Sequence, residues 1–163
     1  MHTEPSDEQK SLLAALGRIP SGLFILTFRH GKHETAMLAS WVQQCSFEPP
    51  QIVIAMNAKR YVLDWLERGS AIAVSILGEG QKELLSHFGK GFEPGQPAFE
   101  GIEVERSDGN APSLPQAHAV LHCRMSGKHV AGDHVLIIAE VVAGKLQHDG
   151  RPGMHVRRSG AHY

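Results

Sequence analysis

The sequence predicts a mainly β fold of antiparallel strands with a few peripheral helices, and three observations lead to that class. Short apolar runs with the length of buried strands recur at 23–28, 52–56 and 71–77. The segment 118–125 alternates apolar and polar residues with a period of two, as a half-buried strand does. The chain lacks the strand–helix–strand alternation of parallel sheets. We therefore expect an antiparallel barrel or sandwich rather than a doubly wound fold.

Three short helices are expected around these strands. The first begins at a capping box formed by Ser6 and Gln9, carries a stripe of leucines, and ends at Gly17. That leucine stripe should pack on the strands that follow. The other two helices are predicted from apolar residues at helical spacing. These residues are Val62, Trp65 and Leu66 in the second helix, and Leu84, Leu85 and Phe88 in the third.

The segment 35–50 is interpreted as one strand followed by a turn. Residues 35–42 would alternate between two faces, placing small and hydroxyl side chains beside the Trp41 indole. Pro49 and Pro50 disfavour helix before them and hold the turn open. Because small residues leave backbone N–H groups accessible, the turn is a candidate site for a phosphate-bearing cofactor. An ordinary hairpin arm with a proline-stiffened exit explains the same pattern.

The second half of the chain is expected to contain a long loop and then a hairpin. Glycine and proline concentrate in 89–115, which predicts a surface loop with one short strand at 102–105. Loops of this length in a compact domain are often functional. The strand at 118–125 should pair with 135–142 across a loop at 126–134.

Composition points to one domain, residues 1–163, with 42% hydrophobic residues. The net charge is −1 and no basic run exceeds Arg157 and Arg158, so neither nucleic acid nor a membrane surface is expected as a partner. The polar start and the lack of a long apolar stretch predict a cytoplasmic protein without a membrane span. Cys45 and Cys123 are too isolated for a disulfide framework, so we expect free, buried thiols.

Several common chemistries fail on spacing. The segment 78–80 follows a strand and precedes a helix, but it completes neither a Rossmann nor a P-loop motif. His118 and His122 would share a strand face with Cβ atoms roughly 13 Å apart, too far for one metal ion. No metal site is therefore predicted. The hydroxyl and thiol groups of 40–46 lack a nucleophile elbow, so hydrogen bonding is their simpler role.

Four segments carry a resemblance to a known family. The segments 17–27, 36–50, 87–101 and 155–163 resemble, in order, the flavin reductase-like domain family, whose fold is the FMN-binding split β-barrel. The likeness is greatest to the reductase module at the C-terminus of cyanobacterial flavodiiron proteins. The resemblance implies a six-stranded antiparallel Greek-key barrel, usually a homodimer, that binds FMN and takes hydride from NADH or NADPH.

The same resemblance implies a set of flavin-binding residues. The residues that would border the ring and ribityl chain are Leu38, Ala39, Ser40, Trp41, Cys45, Ser46 and Phe47. The phosphate side corresponds to Asn57, Ala58, Lys59 and Arg60. A cationic pair before a helix N-terminus suits a phosphate, although a solvated helix entry explains it equally well. A threonine common in the family is replaced here by Val62, which removes one hydroxyl contact.

Two residues are predicted to act on the chemistry itself. Lys90 lies where family members place a lysine that reaches the flavin, and we expect it to stabilise developing negative charge. His134 belongs to a Gly-Asp-His block whose histidine lies near the ring and the nicotinamide, so we expect it to orient substrate or supply a proton. The alternative for His134 is a strand-start residue that caps the hairpin.

The function implied is an NAD(P)H:flavin oxidoreductase that uses FMN, with FAD as the alternative, and NADH or NADPH as co-substrate. A second hypothesis is a non-enzymatic FMN-binding electron-transfer module that serves a separate redox partner protein. A third is a split barrel that binds another ligand. The sequence does not distinguish NADH from NADPH.

Overall fold

Among residues 4–162, which the computed structural model describes, seven antiparallel strands form one sheet and two short strands form another. The mainly β antiparallel class is therefore confirmed, with seven strands in the main sheet instead of the six implied by the resemblance. The strands are β1 (Ser21–Gly22), β2 (Phe24–His30), β3 (His33–Ala39), β4 (Val42–Phe47), β5 (Pro50–Asn57), β6 (Ala71–Ile76), β7 (Ala119–Ala131), β8 (His134–Leu146) and β9 (Met154–His155). The helices are α1 (Asp7–Leu16), a 3-10 helix (Tyr61–Trp65) and α2 (Lys82–Gly89).

The strand order shows that the sheet curls into an incompletely closed barrel. The order is β3-β2-β6-β7-β8-β5-β4, so the two edge strands are β3 and β4. These edges follow each other in the chain and are joined by only Ser40 and Trp41. Three trans peptide units span at most about 11 Å, so the edges must approach each other at that link. The Trp41 carbonyl also accepts a 3.0 Å hydrogen bond from the Ala55 N–H of β5.

The barrel interior contains one of two apolar clusters. Strands β2, β5, β6, β7 and β8 each contribute residues to it, because alternate side chains of each strand point inward. Val62 and Leu66, from the predicted second helix, close one side of this cluster. Its buried members on the strands are Leu26, Phe28, Ile52, Ile54, Met56, Ile72, Val74, Cys123, Met125, Ile137 and Ala139.

The second cluster lies between the outer face of the sheet, α2 and the long loop. Ile25 of β2 packs here together with Leu84 and Phe88 of α2. The predicted surface loop contributes Ala98 and Leu114, which are both buried, so this loop is part of the core and not only a surface connection. Its backbone is also tied to the sheet. The Thr27 hydroxyl donates to the Pro112 carbonyl, and the Leu114 N–H donates to the Ser75 hydroxyl at 3.3 Å.

Helix α1 is confirmed, including its capping box and its end at Gly17, but its packing differs from the prediction. Leu12 and Leu16 remain exposed, and no residue of α1 is buried. The helix contacts the C-terminal arm, residues 154–162, instead of the sheet. A side chain at Gly17 would come within 2.9 Å of the Arg157 carbonyl oxygen, and the Gly160 N–H donates to the Leu13 carbonyl at 2.6 Å.

Several predicted boundaries are wrong for identifiable reasons. The predicted strand 35–42 is broken at Ser40 and Trp41, where the chain passes from one sheet edge to the other. The predicted helix at 59–69 is only a five-residue 3-10 turn, and the predicted strand at 102–105 is reduced to a single bridge between Glu105 and Ser113. After the 3-10 turn, the Gly69 N–H donates to the Met125 carbonyl of β7 at 2.8 Å, so the chain does not continue as a helix.

The largest difference concerns the loop predicted at 126–134. Strands β7 and β8 continue through it and meet in a two-residue turn, Gly132 and Asp133. Gly132 has a φ of 61°, and glycine at the first central position is the preference of type II′ hairpin turns. The outer end of β7, residues 128–131, is exposed throughout, whereas the facing end of β8 is half-buried. The β7 end therefore shows no alternation of apolar and polar residues that could reveal a strand.

Candidate functional site

A cavity of about 420 Å³ opens where the ends of β3 and β5 face α2. Its size falls within the range of about 300–1,000 Å³ typical of small-molecule sites. The wall is mostly apolar, with a few polar groups from Ser40, Asn57, Arg60 and His155. The remaining lining residues are Leu23, Met37, Leu38, Ala39, Ala55, Met56, Leu85, Phe88, Gly89 and Gly91.

The structure brings five of the predicted flavin-binding residues together in this cavity. Leu38, Ala39 and Ser40 form one wall at the end of β3, whereas Asn57 and Arg60 lie at the end of β5 and just after it. The first group precedes the second by at least 17 positions in the chain, so it is the barrel that makes the two groups neighbours. The cavity therefore has an apolar wall of strand residues with an amide and a guanidinium from the opposite strand end.

Ser40 provides a buried polar atom that the protein leaves unsatisfied. Its hydroxyl oxygen is fully buried and has no hydrogen-bond partner among the described residues. An unsatisfied buried hydroxyl costs about 1–3 kcal/mol, so it is usually found where a ligand or water completes the bonding. Ser40 also lies at the chain crossing between β3 and β4. The cavity thus contains an anchoring group for a polar atom of a ligand.

Trp41 is held by two side chains from distant parts of the chain. Its ring lies 5.0 Å from the His134 ring, measured between centroids, with a tilt of 43°. The Arg157 guanidinium carbon lies 4.9 Å from the indole centroid. Trp41 itself lines a second, wider groove that also touches Ser40 and Ala55. The indole therefore lies between Arg157, near the C-terminus, and His134 at the start of β8.

The predicted phosphate side retains its cations but not its helix. The 3-10 helix after Arg60 has only five residues, so it supplies little dipole, and the physical argument from a helix N-terminus does not hold. The nearby amides are also occupied. The Lys59 N–H donates to the Asn57 side chain at 3.0 Å, and the Ala58 N–H donates to the Asp133 carbonyl at 2.9 Å. Anion binding here would rest on the exposed side chains of Lys59 and Arg60.

The Gly-Asp-His block lies directly beside that segment. Asn57 of β5 pairs with His134 of β8, and the His134 side chain is largely buried. Its Nδ1 lies 2.7 Å from the Asp133 carboxylate. The hydrogen bond from His134 and the positive character of that ring hold the pKa of Asp133 below its usual range. An Asp133 carboxylate at this distance fixes the tautomer and the direction of the imidazole.

Lys90 lies at the end of α2, where it is the residue that follows the last helical position. Its side chain is exposed, and its chain neighbours Gly89 and Gly91 both line the cavity. The structure therefore places the Lys90 backbone at the cavity mouth.

Cys45, Ser46 and Phe47 are not brought to the cavity. All three lie on β4, where Phe47 is 89% exposed and a bulge interrupts pairing next to Cys45. The expectation of a buried thiol is wrong for Cys45, which is exposed, and right for Cys123. Burial raises the pKa of Cys123 to about 12, so it is a structural thiol. The role of Cys45, Ser46 and Phe47 as flavin-wall residues stays a prediction.

One polar residue of the cavity, His155, was not predicted from the sequence. His155 of β9 lines it, next to Leu23 from the segment that follows β1. Strand β9 has two residues and pairs with β1, so neither strand is long enough to show periodicity. The resemblance of the segment 155–163 was the one available signal for this residue.

The described residues contain no group of three or more metal-ligating side chains placed to hold an ion. His122 remains half-buried, and its pKa is lowered by burial and by the charge of Arg124. Within 4–162, no helix combines the length and hydropathy that crossing a bilayer requires.

Comparison with known proteins agrees with this architecture. The family model described as "Flavin reductase like domain" matches residues 16–162. The chain is 34% identical over 151 residues to diflavin flavoprotein A 1 of Synechocystis sp., covering 91% of this chain and 26% of that protein. The chain therefore spans about a quarter of the length of the curated relatives it matches.

Two solved structures share the fold. NADH:FAD oxidoreductase SgcE6 of Streptomyces globisporus C-1027 superposes with a TM-score of 0.81 at 23% identity, covering 96% of this chain and 93% of that one. Flavin reductase HpaC, solved with NADP⁺, gives a TM-score of 0.75 at 22% identity, covering 91% and 92%. The split-barrel class expected from the resemblance is thereby confirmed. With a family model matched over nearly the whole chain, this protein belongs to the flavin reductase-like domain family.

Proposed function

We propose that this protein is an NAD(P)H:flavin oxidoreductase that binds FMN in the cavity between β3, β5 and α2. The observation that carries the proposal is the unsatisfied Ser40 hydroxyl in the wall of a mostly apolar cavity of about 420 Å³. A planar ring needs apolar walls and a few fixed polar partners, and this cavity combines both. Family membership supports flavin-linked redox chemistry as the general activity.

The chemical types of the lining residues suit a flavin, as does the volume of the cavity. Leu38 and Ala39 offer an apolar wall, and Ser40 offers a buried hydroxyl to a polar ring atom. At the opposite strand end, Asn57 and Arg60 supply an amide and a cation, to which exposed Lys59 adds a second positive charge. We assign the phosphate to this end, since paired cations bind a phosphate without a helix dipole. FMN is favoured over FAD because this cluster matches a terminal phosphate.

When bound, the flavin supplies hydride acceptance at N5 from a reduced nicotinamide. The protein's own contribution is to bind and orient the two rings and to exclude water. His134, fixed by Asp133 and packed on Trp41, is the proposed residue for orienting the nicotinamide or supplying a proton. Lys90, beside two glycines of the cavity wall, is the proposed cation for charge that develops on the ring.

A second candidate function is a non-enzymatic FMN-binding electron-transfer module that serves a separate redox partner protein. The observation that favours it is the coverage of its relatives, because the chain spans about a quarter of the diflavin flavoproteins it matches. In proteins of that length the flavin site would exchange electrons with other domains. Both candidates require FMN binding, and only the first requires reaction with a free nicotinamide nucleotide.

We also propose that the protein is a homodimer, as the resemblance implies. A wide apolar groove of about 860 Å³ supports this, since it is lined by Ile19, Phe24, Val42 and Met154 among others. Ile19 and Met154 are 60% and 69% exposed, which is a large apolar surface for a single chain. Light scattering during size-exclusion chromatography tests this, and a mass of one chain at micromolar concentration would contradict it.

The decisive experiment measures FMN binding and NADH or NADPH oxidation with the same protein. We expect FMN to bind with a dissociation constant in the micromolar range or below and to support nicotinamide oxidation. Binding without oxidation would support the electron-transfer module, and absence of binding would overturn both. His134→Ala should slow flavin reduction at least tenfold in stopped-flow while retaining FMN affinity within about threefold. Unchanged reduction rates would refute the role of His134.

A further inference from the structure

Arg157 is a nearly buried cation that lacks a counter-charge in the described part of the chain. Only 8% of this residue is exposed, and no carboxylate of residues 4–162 lies within 4.0 Å of its guanidinium. Within residues 4–162, its guanidinium contacts the face of Trp41, 4.9 Å from the guanidinium carbon to the ring centroid. A cation–π contact compensates only part of the cost of burying a charge.

The main chain around Arg157 is firmly anchored by α1 and the residues after it. An Arg18 guanidinium N–H donates to the Arg157 carbonyl at 2.6 Å, and the Gly160 N–H donates to the Leu13 carbonyl at 2.6 Å. Gly17 has no room for a side chain, because a Cβ there would come within 2.9 Å of the same Arg157 carbonyl. The position of the buried charge is therefore determined by both ends of the described chain.

This charge is linked to the wall of the candidate cavity through two neighbouring residues, Ser40 and His155. Trp41, which it contacts, directly follows Ser40, the residue with the unsatisfied hydroxyl. His155, two residues before Arg157, lines the cavity. The Cα atoms of these two residues are at most about 7.6 Å apart, since two trans peptide units separate them. Exposed cations such as Lys90 are screened by water, whereas a buried one acts through a low dielectric.

We infer that Arg157 is a positioning residue that fixes Trp41 and makes the cavity favour the reduced form of a bound flavin over the oxidised form. The inference rests on the proposed function. Transfer of one hydride adds two electrons and one proton to the neutral ring, which becomes an anion, while the nicotinamide becomes a cation. A buried positive charge that has no counter-charge among residues 4–162 is stabilised by the anion and gains nothing from the neutral ring.

The test is the ratio of the dissociation constants for oxidised and reduced FMN, measured on the full chain under anaerobic conditions by flavin absorbance and fluorescence. Arg157→Gln should weaken binding of reduced FMN about tenfold relative to oxidised FMN, which equals a fall of about 30 mV in the two-electron potential. Arg157→Lys should stay within about twofold of wild type. Arg158→Gln is the matched control, because this neighbouring arginine is exposed, and it should also stay within twofold.

An unchanged ratio in Arg157→Gln overturns the inference, as does an equal change in Arg158→Gln. If Arg157→Gln does not fold, the wild-type protein still gives an answer, because it must bind reduced FMN more tightly than oxidised FMN. Tighter binding of oxidised FMN overturns the inference. A wild-type protein that binds neither form contradicts the proposed function itself, so the two failures are distinguishable.

Discussion

Strands β3 and β4 follow each other in the chain and occupy the two edges of the same sheet, but their surroundings are opposite. The outer side of β3 is covered, since the Tyr61 hydroxyl donates to Thr35 at 2.9 Å and Arg106 pairs with Glu34 at 2.9 Å. Leu38 of β3 faces Gly89 of α2. Strand β4 exposes most of its side chains, and no side chain of another element within 4–162 forms a hydrogen bond or ion pair with it. Ser40 and Trp41, which join the two strands, therefore separate β3, which lines the cavity, from β4, which is an exposed sheet edge.

Nearness in sequence is a poor guide to which residues line this cavity. The resemblance assigned 38–41 and 45–47 to one flavin wall, yet 38–40 border the cavity, Trp41 lines the neighbouring groove, and 45–47 lie on the largely exposed strand β4. Bare edges invite pairing with other chains, and a bulge beside Cys45 interrupts the regular geometry of β4. The experiments below test how far the two edges differ.

Thiol reactivity should give the largest contrast. Cys45 on β4 is exposed, whereas Cys123 is buried inside the barrel with a pKa of about 12 against an ordinary value of about 9. A rise of three pKa units reduces the thiolate a thousandfold, so native protein should alkylate at Cys45 at least about 1,000 times faster than at Cys123. Mass spectrometry after iodoacetamide treatment at pH 8 measures both sites. Cys45→Ser should then be almost unlabelled, and rapid labelling of that variant would show that the barrel opens readily.

Filling the cavity should give the next largest effect. Ala39→Phe places a ring in the wall beside Ser40, so we expect FMN affinity to fall about 100-fold or more. Gln44→Phe is the matched control on β4, because Gln44 is exposed and lines neither the cavity nor the wide groove. Isothermal titration measures both. Equal loss in the two variants, or no loss in Ala39→Phe, would place the ligand elsewhere.

Ser40→Ala should change stability and binding in opposite directions. Removing a buried hydroxyl without a partner should raise the free energy of unfolding of the ligand-free protein by about 1 kcal/mol. Loss of the ligand's hydrogen bond should weaken FMN binding about tenfold. Ser46→Ala on β4 should alter neither quantity by more than about 0.5 kcal/mol. Urea unfolding and FMN titration test this, and a destabilised Ser40→Ala with unchanged affinity contradicts the assignment.

The smallest effect concerns the ion pairs of Glu34 on β3 with Arg29 and Arg106. Burial alone would raise the pKa of Glu34, but hydrogen bonds from Arg106 and Arg29, together with their charges, hold that pKa below its usual range. A lowered pKa in the folded state means that the stabilisation is complete above the ordinary glutamate value of about 4.3 and is lost as pH falls through the folded value. We expect Glu34→Gln to cost about 1 kcal/mol at pH 7 because charged hydrogen bonds are lost.

Unfolding free energies of Glu34→Gln and wild type should converge at acid pH, below the folded-state pKa of Glu34. The matched control is Glu48→Gln beside β4, whose carboxylate is exposed and takes part in no ion pair among residues 4–162. It should show no such pH dependence. A constant difference between Glu34→Gln and wild type across pH 3–7 would contradict the ion-pair explanation.

The fold was predictable where burial imposes a pattern. The buried strands β2, β5 and β6 and helix α2 carry apolar runs or helical spacing because one or both faces meet the core. The outer end of β7, residues 128–131, was missed because its side chains are exposed and carry no periodic signal. The break at Ser40 was missed because only the curvature of the whole sheet requires it.

The candidate site was predictable only in part. The residues 38–40, Asn57 and Arg60 were found by resemblance and meet in the cavity, although no local pattern predicted that they meet. His155 and Arg157 escaped the residue-level analysis because the C-terminal arm has little regular structure and its placement depends on α1. Sequence patterns report burial along one element, whereas this site depends on contacts between elements far apart in the chain.

The hydrogen bond from Gly160 to Leu13 places the two ends of the described chain side by side. A protein whose ends adjoin tolerates circular permutation, so a short peptide could join them while new ends are opened in the exposed segment 93–97. In a longer polypeptide, the same geometry would let the whole barrel be connected to a neighbouring domain at one point on its surface.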